Sequence, residues 1–87
     1  MTLINQADPP TLTDLPRLGR GLVRDVVGDD VTSSRLRELG FTPGTLVEFV
    51  RVAPLRDPLC FRIRGTQLCL RRSEARRVGI IPESGSA

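Results

Sequence analysis

Hydrophobic and polar positions alternate most cleanly in LCFRIRGTQLCLR, residues 59–71. Leu59, Phe61 and Ile63 fall on one side, Cys60, Arg62 and Arg64 on the other. Beyond Gly65-Thr66 the alternation resumes, with Leu68 and Leu70 against Gln67, Cys69 and Arg71. A period of two predicts two half-buried strands. A two-residue Gly-Thr loop with glycine first suits a type II′ turn. That turn pairs Ile63 with Leu68 and Phe61 with Leu70, and it sets the arginines and both cysteines on the outer face. Residues 45–53 predict another strand, Val47 and Phe49 opposite Glu48. Its phase blurs at Val50-Arg51-Val52, as a bulge would make it. Residues 21–27 are rich in β-branched side chains and close at Gly28-Asp29-Asp30, which predicts a third strand and a turn. Residues 78–81 predict a last short one.

One helix interrupts this pattern. Over 33–39, Leu36 and Leu39 recur at helical spacing, and Asp30, Thr32 and Ser33 can each cap the start. Gly40 suits the left-handed residue that ends a helix, and Pro43-Gly44 fits the middle of a type II turn. After the hairpin, SEARR predicts a single helical turn. Ser73 serves as its cap, Glu74 stands at its positive end, and Arg76 and Arg77 at its negative end. Short, bent strands with one helix predict a mainly β fold, a small barrel whose closure removes exposed edges. The domain is placed at 11–80, with flexible ends at 1–10 and 81–87.

Composition narrows the function classes. Eighty-seven residues with 39% apolar content allow one small core. No apolar run approaches the roughly 20 residues of a membrane span, and the first dozen residues lack the pattern of a signal peptide, so a soluble cytoplasmic protein is expected. All thirteen basic residues are arginine, and the chain has no His, Trp or Tyr. Without histidine, most hydrolytic triads and most ordinary zinc sites are excluded. Residues 1–50 hold five Arg and seven acidic residues, whereas 51–77 hold eight Arg against Asp57 and Glu74 alone. The second half is therefore the basic one, although each charge in LRRSEARRV also has a local structural reason.

The run LRELGFTPGTLVEFV, then APLRDPLCFRIRG, then LCLRRSEARRV resembles the FeoA family of bacterial ferrous iron transport. The matching positions are Leu36, Leu39-Gly40, Pro43-Gly44, Ala53-Pro54, Asp57-Pro58, Gly65, Leu68, Leu70-Arg71 and Glu74-Ala75, within about residues 12–80. The resemblance implies an SH3-like barrel of about five strands with one short helix and a terminal helical turn. It also implies a cytosolic accessory protein for FeoB, the inner-membrane ferrous permease, and a place at the membrane through that partner.

Candidate binding residues follow from charge. Arg56, Asp57, Arg62, Arg64 and Arg71 are the expected contacts with the permease, because only Phe41, Phe49 and Phe61 are aromatic and the last two are expected in the core. Phe41 alone is left to stack on a base, so nucleic acid is not an expected partner. Cys60 and Cys69, diagonal in the register above and about 7–8 Å apart, are candidate thiolate ligands for iron or zinc. They could join two copies in a metal-bridged homodimer. No cofactor is required on this reading. Three alternatives stay open: a transition-metal module, an activator supplying an arginine to the permease's GTP site, and, ranked last, a small barrel that binds nucleic acid through its basic half. Asp29-Asp30 reads as helix capping, so no catalytic set is assigned and no enzyme is expected.

Overall fold

The structure is a computed structural model in which residues 9–83 are described; most of each end expected to be flexible, 1–8 and 84–87, lies outside them. A short 3-10 turn, Leu12–Asp14, leads into β1 (Arg20–Val26), α1 (Val31–Glu38), β2 (Leu46–Val52), β3 (Leu59–Ile63), β4 (Thr66–Leu70), α2 (Arg72–Ala75) and β5 (Val78–Pro82). The five strands form one antiparallel sheet in the order β4-β3-β2-β1-β5. This is the mainly β, SH3-like architecture that the pattern and the resemblance predict.

Turn chemistry explains most element ends. Asp30 caps α1, its carboxylate accepting from the Ser33 amide at 3.1 Å. Gly44, at φ 89°, supplies the left-handed residue of the turn into β2, which the Thr45 amide closes by donating to the Thr42 carbonyl. The expected bulge in β2 is real: Phe49 pairs with Phe61 and Arg51 with Cys60, leaving Val50 without a partner. A second bulge at Arg24 lets Val23 and Val26 both face inward. The core gathers Leu12, Val23, Leu36, Phe41, Val47, Phe61, Ile63, Val78 and Ile80, each at most 1% exposed. Such burial is worth about 1.5–3 kcal/mol for a large apolar side chain.

Several expectations are corrected. The hairpin turns on Arg64-Gly65, both at positive φ (54° and 79°), as a type I′ turn requires. Ile63 therefore pairs with Thr66, Phe61 with Leu68 and Leu59 with Leu70, two residues away from the expected register. A shift of two keeps every side chain on its face, so the hydrophobic pattern could not reveal it. Ser73 is not the cap of α2. Glu74 accepts from the Arg71 amide, and Asp57, arriving from the preceding loop, accepts from the Arg72 amide at 2.9 Å. Leu39 is exposed, and Phe41 is completely buried while Phe49 is only half-buried. The fold also extends past 80, since β5 reaches Pro82 and Glu83 pairs with Arg20.

Strand pairing does not close the barrel. β4 and β5 are the two ends of the sheet, and between them lie α2 and the 3-10 turn, packed on each other. The β5 edge is covered: Thr11 bridges to Gly79, and the Ile80 amide donates to the Pro10 carbonyl. Among the described residues no backbone group pairs with the outer edge of β4.

Candidate protein-docking surface

On the outer face of the sheet the registers align side chains into two rows. Leu22 on β1 lies directly between Leu46 on β2 and Ile81 on β5. All three are large aliphatic side chains with 41%, 45% and 55% of their surface exposed. Side by side, they make an apolar strip on a face that otherwise carries charge. The neighbouring row runs Glu83, Arg20, Glu48, Arg62 across β1, β2 and β3. Its charges alternate in sign, and Arg20–Glu83 and Arg62–Glu48 close at 2.9 Å. These exposed pairs add less than about 1 kcal/mol each. They do hold the long arginine stems in place beside the leucines.

Where the strip meets the hairpin turn, a shallow groove of about 320 Å³ opens between Arg20, Leu46, Glu48, Arg62 and Arg64. Arg64 makes no ion pair among the described residues. It sits in the left-handed region that asparagine and glycine favour, a conformation costing an ordinary residue about 1 kcal/mol. A charged residue kept in a strained turn beside an apolar strip is suited to contact with another molecule. Arg20 and Arg62 are matched by Glu83 and Glu48, so Arg64 carries the one unmatched charge here, and it favours an anionic counterpart.

The five expected contact residues do not converge. Arg62 and Arg64 share this groove. Arg71 lines a second groove of about 480 Å³, with Leu39, Leu68 and Cys69, on the far side of β4. Arg56 and Asp57 sit in the β2–β3 loop and line neither groove: the Asp57 carboxylate and the Arg56 backbone carbonyl both accept from Arg72, while the Arg56 side chain is exposed. Arg20, Leu22, Leu46 and Ile81 were not expected at a binding surface. Sequence parity holds a signal for two of them, since Leu22 shares a face with Arg20 and Arg24, and Leu46 with Glu48.

The cysteines are corrected as well. In the observed register Cys60 and Cys69 are directly opposite, at a pair that exchanges no ladder hydrogen bonds, where strands approach most closely. Their Cα atoms are 4.0 Å apart and the two sulfurs are joined as a disulfide. Cys60 shares the outer face with Cys69, as expected, but is itself buried. A disulfide presents no thiolate, so the pair as it stands does not ligate metal. Among the described residues no group of three or more Cys, His, Asp or Glu side chains converges. Among the described residues, the donors as arranged do not form a metal centre.

The FeoA domain family matches residues 11–82. Over 69 residues, 79% of the chain, the sequence is 33% identical to the Fe(2+) transport protein A/Fe(2+) transporter FeoB fusion protein of Porphyromonas gingivalis, of which it spans 8%. Among solved structures it is similar to FeoA of Stenotrophomonas maltophilia, complexed with zinc and described as an SH3 domain protein and a candidate activating factor for ferrous iron transport. The identity is 37% and the TM-score 0.74, with 83% of this chain and 89% of that one covered. FeoA of Chlorobium tepidum superposes with a TM-score of 0.80 at 29% identity, covering 90% of this chain and 74% of that one.

Proposed function

The chain belongs to the FeoA family, and from that premise we propose that it is an accessory protein of ferrous iron uptake that docks on the cytosolic part of a FeoB-type permease. The observation that carries this reading is the exposed Ile81–Leu22–Leu46 strip running into the Arg62 and Arg64 groove. A relative with both proteins in one chain supports it, because fusion holds two partners at high effective concentration. On this reading the protein acts by contact, without catalysis of its own, at the cytoplasmic face of the membrane. No helix among the described residues is long and apolar enough to cross that membrane.

Capture of this protein by the purified cytosolic region of a FeoB permease tests the proposal. A Leu22→Glu/Leu46→Glu variant should lose at least about tenfold in affinity, since burying a carboxylate in an apolar contact is strongly opposed. Arg64→Asn should fold at least as stably as the parent, because asparagine suits the turn, yet bind more weakly. Equal capture of all three proteins would reject docking through this face.

A further inference from the structure

The sheet has two ends, and the chain treats them differently. The β5 end is sealed by the Thr11–Gly79 bridge and by the Pro10 carbonyl. The β4 end is open. With Ile63↔Thr66 closing the hairpin, Thr66, Leu68 and Leu70 spend their backbone groups on β3. Gln67 and Cys69 therefore point their N–H and C=O groups away from the sheet, and neither meets a partner among the described residues. Proteins usually blunt such an edge.

Alongside this open edge runs the second groove, with Leu39, Pro58, Leu68 and Leu70 forming an apolar floor and Arg35 and Arg71 on its rim. Arg35 is engaged by Glu74, whereas Arg71 makes no ion pair among the described residues. The surrounding segment, residues 51–77, carries eight arginines against two carboxylates. An edge, an apolar floor and a cationic rim each specify a different feature of one ligand. The edge asks for an extended backbone, the floor for aliphatic side chains on alternate residues, and the rim for carboxylates on the others.

We infer that the β4 edge is a strand-addition site for an extended acidic-aliphatic segment of a partner protein, of about five residues. Gln67 and Cys69 bond its backbone, Leu39 and Leu68 take its aliphatic side chains, and Arg71 meets its carboxylates. The inference rests on the reading that the protein works by docking, but it concerns a surface separate from the Ile81–Leu22–Leu46 strip.

The test uses the full chain, labelled with nitrogen-15, and the synthetic peptide Leu-Glu-Val-Glu-Leu-Glu-Val, with a Leu-Lys-Val-Lys-Leu-Lys-Val control. Titration should shift amide signals from 66 to 71 and slow hydrogen exchange at Gln67 and Cys69, with the lysine peptide inert. Gln67→Pro removes one outward N–H without touching the β3 ladder, as an edge strand tolerates. It should weaken binding about tenfold or more, whereas Gln67→Ala, which keeps the N–H, should bind like the parent. Melting temperature and the remaining amide signals report that both variants fold. Four results would overturn the inference: no shifts, shifts centred on Leu22 and Leu46, undiminished binding by folded Gln67→Pro, or protection of Gln67 and Cys69 by self-association without peptide. Peptide binding is measured without the permease, so failure here leaves the capture experiment to judge the proposed function separately.

Discussion

Asp30 shows how much one carboxylate can organise in a small domain. Its Oδ1 accepts from the Ser33 amide at 3.1 Å, from the Ser33 hydroxyl at 3.0 Å and from Arg77 Nη1 at 2.5 Å. It thereby starts α1 and ties that helix to the segment before β5. The Arg77 hydrogen bond, followed by the two from Ser33, holds the carboxyl well below its ordinary value of 3.8. A group whose folded pKa lies below its unfolded one stabilises the fold above the unfolded value and stops doing so as acid protonates it. Asp30→Asn keeps an acceptor for Ser33 but removes the charge facing Arg77. Thermal melts should therefore show the parent more stable than the variant at pH 7, with the gap shrinking as pH falls below about 4. A gap that is constant from pH 7 to pH 2.5 would mean that the ion pair contributes nothing.

Among the elements, the β3–β4 hairpin has the strongest local specification and the least expected staple. Cys60 and Cys69 are nine positions apart in the chain. Closing a loop of that size in the unfolded chain is worth roughly 2–3 kcal/mol. Urea unfolding with and without a phosphine reductant should differ by about that amount, and indistinguishable midpoints would contradict it. In a reducing compartment the pair would open, and the hairpin would then rest on its turn and register alone. The same element shows what the sequence could and could not disclose. Alternation assigned the faces of Phe61, Ile63, Leu68 and Leu70 correctly, because burial has a period of two. It could not choose between Gly65-Thr66 and Arg64-Gly65 as the loop, since both preserve those faces. The choice fell to backbone twist, which favours two left-handed residues even when one of them is arginine. The disulfide was lost with that choice, because two residues of register separate a diagonal pair from a facing one. The Asp57 cap on α2 was hidden for another reason. It joins residues fifteen apart across a folded loop, and no local pattern records such a contact.

At the scale of the whole molecule, the fold was legible because five short strands and one capped helix admit few arrangements, and the FeoA-like order of motifs selects among them. The binding surface was less so. Leu22, Leu46 and Ile81 come from three strands scattered over sixty residues of chain, and only their registers bring them side by side. Charge counting found the basic half but scattered its arginines over three regions of the surface. Binding and stability are therefore separable here. Substitutions in the strip should change partner capture, while those at Asp57 should act on the α2 junction.

The seal over β5 depends on very little chain: one bridge from Thr11 and one carbonyl from Pro10. Removing the first eleven residues would leave donors and acceptors unsatisfied at both ends of the sheet. The two ends are different surfaces, so the β4 of one molecule could stack on the β5 of the next in a head-to-tail series with no reason to stop. Such a truncation should grow fibres visible by electron microscopy, whereas a chain lacking only residues 1–8 should stay dispersed. Monodisperse behaviour of the shorter chain would mean that Pro10 and Thr11 do not guard that edge. Fibres from it would instead make Pro10 and Thr11, a short lead-in to the first strand, the fold's safeguard against polymerisation.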